Sequence, residues 1–193
     1  MVKSVCVYCA SSSKADTVYL NAASELGKLL ALNDVRCIYG AGETGLMGAL
    51  ADAVLANNGY ITGVIPQFMC DEDWHHKAIS ECIVTQTMHE RKEKMAFMAD
   101  AVVALPGGCG TLEELLEAIT WKQLGLFVHP IIIVNVNGYF DPLLSMLDKA
   151  IDENFMRQEH SNMWQVVNSA SEVLEAIAVA PQWHTNARKI AAI

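Results

Sequence analysis

Two kinds of apolar pattern alternate along this chain. In one, apolar residues fill consecutive positions, as in Val-Val-Ala-Leu at 102–105 and Ile-Ile-Ile-Val at 131–134. Strands covered on both faces have this character. In the other, apolar residues recur every three or four positions, as in Leu115, Leu116, Ile119 and Leu124, which is the signature of a helix with one buried face. The pattern predicts strands at 2–8, 35–39, 60–65, 82–86, 100–105, 131–135 and 164–167. Helices are predicted near 15–32, 45–57, 88–98, 111–124, 140–153 and 170–178. Such alternation calls for crossover connections and a parallel sheet. The expected fold is α/β, a Rossmann-like doubly wound parallel sheet of about seven strands with helices on both faces, in a single nucleotide-binding domain over 1–193.

In a sheet of this kind ligands bind beyond the carboxyl ends of the strands, where the strand order reverses. The polar loops after the first, second and fifth predicted strands all fall at that edge. The loop after the fifth reads Pro-Gly-Gly-Cys-Gly-Thr-Leu-Glu-Glu at 106–114. A strand that empties into a glycine turn and a helix start presents free backbone N–H groups and about half a positive charge, an anion site. Gly107, Gly108 and Gly110 allow close approach of a ligand, and Thr111 adds a hydroxyl. Glu113 and Glu114 do not help to hold a phosphate, so they point to a second role. Thr111-x-x-Glu114 equally reads as a capping box, and Glu113 and Glu117, four apart, equally read as a solvated acidic face.

Charge draws attention to a second cluster. The chain is acidic, with net charge −9 and 13 Lys plus Arg among 193 residues, yet Met88-His89-Glu90-Arg91-Lys92-Glu93-Lys94 packs three basic residues into four positions. Glu90 accounts for Lys94 as a helical ion pair. Adjacent helix positions diverge by roughly 100°, so only one of Arg91 and Lys92 can face the glycine turn. Arg91, planar and bidentate, is the better phosphate or sugar contact.

Met88 to Lys92, the run Pro106 to Glu114 and Glu117-Ala118-Ile119-Thr120-Trp121 together resemble the "lonely guy" family of nucleotide phosphoribohydrolases, which activate cytokinins and whose relatives often carry a lysine decarboxylase label. The likeness extends to Val5–Ser12, to Gly40–Gly48 and to Asn135–Phe140. It implies that Arg91 and Glu114 are the catalytic pair and that the glycine turn binds a 5′-phosphate. Gly107, Gly108, Cys109, Gly110, Thr111, Glu113, Lys92, Met88, Ser11, Gly42 and Thr120 are then expected to contact substrate. Two departures from the family pattern are Ala10, where many relatives have Gly, and Cys109, in a slot often filled by Tyr.

Other chemistries find less support. Gly40-x-Gly42-x-x-Gly45 matches the dinucleotide fingerprint, but it follows the second strand and lacks the later acidic residue that would hold a ribose. His75-His76 beside Asp71, Glu72 and Asp73 lacks metal-ligand spacing; the segment 66–80 reads instead as a mobile polar loop that borders the base pocket. Cys6-x-x-Cys9 has redox spacing, but Cys6 lies inside a strand rather than at a helix start. A pyridoxal enzyme needs a Schiff-base lysine, and none follows the glycine turn before Lys122. No cofactor and no metal are expected.

At 52% hydrophobic residues the chain can build a sizeable core. It enters its first strand directly after Met1-Val2-Lys3, and its apolar runs are too short to span a membrane. A cytoplasmic location is expected, and the six cysteines fit a reducing compartment. A pI of about 5.0 with no basic stripe argues against nucleic acid. A mean hydropathy of +0.24 suggests shared apolar surface. Helix 111–124 with Trp121, Leu126 and Phe127 is the natural dimer face, and the resemblance implies a homodimer with composite sites. The expected reaction is hydrolysis of a purine nucleoside 5′-monophosphate to free base and ribose 5-phosphate; the alternative is a non-catalytic nucleotide carrier of the same fold.

Overall fold

The computed structural model describes residues 2–184 and Ala187. Seven strands, β1 (Ser4–Tyr8), β2 (Arg36–Tyr39), β3 (Ile61–Pro66), β4 (Glu81–Thr85), β5 (Ala101–Ala104), β6 (Ile131–Val134) and β7 (Gln165–Val167), form one sheet in the order β4-β3-β2-β1-β5-β6-β7. Every pairing is parallel. The central strands are buried along nearly their whole length, whereas the edge strand β4 alternates between half-buried and exposed positions until it ends on buried Thr85. Cover on both faces explains the unbroken apolar runs of β5 and β6.

The helices are α1 (Thr17–Leu32), α2 (Gly45–Ala56), α3 (Gln67–Asp71), α4 (Met88–Phe97), α5 (Cys109–Gln123), α6 (Asp141–Asp152) and α7 (Val173–Val179). Successive side chains of a strand point to opposite faces, and the core divides accordingly. Val5 and Val7 of β1 pack with Leu26 and Leu30 of α1, Leu50 and Val54 of α2, and Val173 and Ile177 of α7. Cys6 and Tyr8 pack on the other face with Met95 of α4, Leu115 and Ile119 of α5, and Leu147 and Ile151 of α6. No helix among the described residues is long and apolar enough to cross a membrane.

Element boundaries depart from the periodicity where local capping takes over. Helix α1 starts at Thr17 rather than 15, because the Asp16 carboxylate accepts from the Val18 N–H at 3.1 Å and fixes the start. Helix α5 starts at Cys109, two residues earlier than expected, since Gly108 takes the extended cap conformation. The segment 66–80 contains the short helix α3 and is tied down by its backbone. Gly42 and His75 form a bridge, and the His76 N–H donates to the Ala41 carbonyl at 2.8 Å.

Candidate active site

Strand order reverses between β1 and β5, so the loops after β2, β1 and β5 lie side by side at the carboxyl edge. Backbone bonds stitch them together: Ala10 N–H donates to Pro106 O at 3.2 Å, and Met47 N–H donates to Ala10 O at 3.1 Å. The Thr44 hydroxyl donates to Ser11 O at 2.7 Å. A cavity of about 620 Å³ opens above them, within the range of small-molecule sites.

One wall of the cavity is the start of α5. Thr111 and Glu114 lie inside the helix and no side chain caps its first turn, so the capping box does not form. The earlier start at Gly108 explains this, because Thr111 then sits too far into the helix to serve as N-cap. The first N–H groups of the helix therefore have no capping partner. Gly108 and Gly110 are exposed, and a Cβ at either would meet nothing within 4 Å. Protein packing does not require glycine there, and the backbone donors of the turn are openly approachable.

Helix α4 supplies the opposite charge-bearing wall. Thr87 caps it by accepting from the Glu90 N–H at 3.1 Å, and the Glu90 carboxylate reaches back past the cap to accept from the Gln86 N–H at 2.8 Å, which fixes the helix start from both sides. That register turns Met88 and Arg91 toward the cavity. Arg91 is 6% exposed and donates through Nε to Val64 O at 3.0 Å, through Nη2 to Gly40 O at 3.1 Å and through Nη1 to Glu114 Oε1 at 3.3 Å. A side chain at position 40 would collide with the guanidinium, which accounts for Gly40. Gly45 takes a positive φ of 61° with its Cα against the backbone of Ser11 and Ser12. The dinucleotide-like spacing thus has local structural causes.

Glu114 is 5% exposed. Burial lifts its carboxyl from the ordinary 4.5 to about 7, opposed by the Arg91 guanidinium and reinforced by Glu113. A buried ion pair of this kind is weak support for stability. A carboxyl poised near neutral pH is instead suited to proton transfer or to stabilising positive charge.

Lys92 points the other way. It is 4% exposed, and its ammonium is held by Glu113 and, at 3.0 Å, by Glu117. Burial alone would lower its pKa, but the two carboxylates outweigh that and hold it above the ordinary range. Of the residues expected to contact substrate, Ser11, Gly42, Met88, Arg91, Gly108, Gly110, Thr111 and Glu114 line the cavity. Lys92, Cys109, Glu113 and Thr120 lie outside it, the last three on the exposed side of α5, and Gly107 lies behind the turn. The Thr120 hydroxyl donates to the Leu116 carbonyl of its own helix at 2.8 Å.

Periodicity did not single out the apolar part of the lining. Met47, Ile65, Met69 and Trp74 complete it. Trp74 is 55% exposed although it is the largest apolar side chain of the segment 66–80. A bulky aromatic amid Asp71, Glu72, Asp73, His75 and His76 was the available signal. Lys122 is buried with its ammonium on His129 O at 2.9 Å, away from the cavity, and burial pushes its pKa down to about 8.

Residues 47–177 match the family model described as "Possible lysine decarboxylase". The chain is 41% identical over 173 residues to a probable cytokinin riboside 5′-monophosphate phosphoribohydrolase of Oryza sativa subsp. japonica, covering 90% of this chain and 71% of the relative. It is 40% identical over 173 residues to a cytokinin riboside 5′-monophosphate phosphoribohydrolase of Arabidopsis thaliana, covering 90% and 81%. Among solved structures, the molybdenum cofactor carrier protein of Chlamydomonas reinhardtii superposes with a TM-score of 0.71 at 19% identity, over 92% of this chain and 97% of that one; this likeness is one of fold. With about two-fifths of its residues shared with these phosphoribohydrolases over nine-tenths of its length, the chain belongs to the "lonely guy" (LOG) family, whose model carries the lysine decarboxylase description.

Proposed function

We propose that this chain hydrolyses the N-glycosidic bond of purine nucleoside 5′-monophosphates whose base is adenine or an N6-modified adenine, releasing free base and ribose 5-phosphate. The observation that carries the proposal is the buried Arg91–Glu114 pair beside an open helix N-terminus within one cavity. The relatives' named activity supports the same chemistry.

The 5′-phosphate sits on the N–H groups of Gly108 to Thr111, with the Thr111 hydroxyl beside it. The ribose lies over Glu114, and the base extends toward Ile65, Met69, Trp74 and Met88. In the reaction the C1′–N bond breaks with its electron pair leaving on the base, and a water oxygen bonds to C1′. Water gives up one proton and the base nitrogen gains one, so the step balances. The transition state carries positive charge on the ribose, and ionised Glu114 stabilises it and accepts the proton from water. Arg91 holds the carboxylate in place and keeps two guanidinium N–H donors for the substrate.

The decarboxylase description finds no partner in this geometry: neither Lys92 nor Lys122 lines the cavity, and a Schiff base needs an amine there. A carrier without turnover would have no use for a carboxylate poised near neutrality beneath the sugar. The six free thiols suit a reducing cytoplasm. A homodimer forms through α4 and α5, where Phe97, Leu116, Leu124 and Leu126 are 50%, 39%, 41% and 51% exposed, whereas Phe127, expected on this face, is buried in the core. This face also carries Cys109, Glu113 and Thr120, so a partner would approach the mouth of the site. Incubation of the purified protein with AMP and with an N6-prenylated analogue, followed by chromatography, tests the reaction: free base and ribose 5-phosphate are expected, and intact nucleotide contradicts it.

A further inference from the structure

Tyr139 touches the glycine turn from outside the cavity. It follows a single 3-10 turn, Val136–Gly138, after β6. Since β6 lies beside β5, this loop reaches the turn from the side opposite the loop after β1. The Tyr139 hydroxyl donates to the Gly107 carbonyl oxygen at 2.7 Å. Its ring is fixed edge-on against Tyr19 of α1, 5.7 Å between centroids, and against Phe140 at 5.1 Å. From the other side, Ala10 N–H holds the carbonyl of Pro106. Two successive carbonyls of the turn are thus gripped by different loops.

Peptide geometry gives this grip a consequence at the ligand. In a trans peptide the carbonyl and the following N–H point in opposite directions, and the described chain has no cis peptide bond. A Gly107 carbonyl drawn toward Tyr139 therefore sends the Gly108 N–H the opposite way. Gly108 itself lines the cavity. A peptide between two glycines rotates at little steric cost, and the space around Gly108 is open. Rotation would replace the N–H by a carbonyl oxygen, turning an anion donor into an anion repeller.

We infer that Tyr139 is a positioning residue whose hydroxyl holds the Gly107–Gly108 peptide with its N–H aimed at the substrate phosphate. The inference rests on the reading that the turn binds a phosphate. Tyr139→Phe removes the hydroxyl and retains both ring contacts. It is expected to lower kcat/KM for AMP roughly tenfold, leave kcat/KM for adenosine unchanged, and weaken ribose 5-phosphate in calorimetric titration by a similar factor. A purely structural hydroxyl would lower both substrates together. Equal losses on AMP and adenosine, or no loss on either, would overturn the inference. Were the wild-type protein to release no base at all, the proposed reaction would fall, and the titration would still decide the role of Tyr139. Equal ribose 5-phosphate affinity in the two proteins would refute it.

Discussion

Arg91 and Glu114 come from different helices and meet at 3.3 Å, both more than nine-tenths buried, where the loops after β1, β2 and β5 converge. The pair is an expensive arrangement for a fold to maintain, because taking two charges out of water costs several kcal/mol per ion. Arg91 also ties α4 to the sheet edge through Val64 O and Gly40 O, but those bonds need no carboxylate partner, and the neighbouring core positions Met95 and Ala96 are apolar. Its placement in the cavity beside an uncapped helix start fits the proposed chemistry.

Glu114→Gln is expected to lower kcat by at least about a hundredfold with KM changed little, because the carboxylate charge matters most when positive charge develops on the ribose. Single-turnover measurement of base release checks this. Retained activity in Glu114→Gln would remove the residue from the mechanism.

The carboxyl of Glu114 titrates near 7, and only its ionised form serves catalysis, so kcat/KM should rise with pH through about 7 and then level off. A profile already flat from pH 5 would contradict the assignment.

The same shift has a signature in stability. Folding raises the Glu114 pKa from 4.5 to about 7, so the fold prefers the protonated group. This contribution is fully present below about 4.5 and is lost as pH rises through 7, by up to roughly 3 kcal/mol. Gln, always neutral, lacks this pH dependence. Relative to the wild type, Glu114→Gln should therefore gain stability between pH 5 and pH 8, measured as the difference in denaturation free energy at the two pH values. A constant difference would show that the group is ionised throughout.

Gly110→Ala separates binding from folding. A Cβ there meets no protein atom, and alanine in place of glycine favours a helix by roughly 0.5 to 1 kcal/mol. The variant should be at least as stable as the wild type by thermal denaturation, yet lose activity on AMP because the methyl group occupies the path of the phosphate. Unchanged activity would show that the open space has no ligand.

The sheet was legible because doubly covered strands write consecutive apolar residues into the sequence; β5 and β6 fall where those runs predict. The meeting of Arg91 with the glycine turn was legible in part, since Thr87-x-x-Glu90 encodes the start of α4 and hence which of Arg91 and Lys92 turns inward. The start of α5 was less so. Thr111 and Glu114 have capping-box spacing, and only the extended conformation of Gly108 moves the helix start upstream and releases both for the cavity. Trp74 and Met69 escaped periodicity altogether, because α3 is too short to show a helical repeat and is placed by bonds to the loop after β2. The contact of Tyr139 with Gly107 spans 32 residues and depends on strand order, which periodicity does not report.

The central claim is that the helix start at Gly108–Thr111 holds a phosphate that takes no part in bond breaking while Glu114 serves the ribose. Comparison of kcat/KM for base release from AMP and from adenosine tests it most directly. Two charge-assisted contacts of about 1.5 to 3 kcal/mol each would exceed the roughly 2.7 kcal/mol that corresponds to a hundredfold difference. The nucleotide is therefore expected to be at least about a hundredfold better as substrate, with the same preference for an N6-prenylated pair. Comparable rates on nucleotide and nucleoside would contradict the account, leaving the glycine turn as no more than the start of a helix.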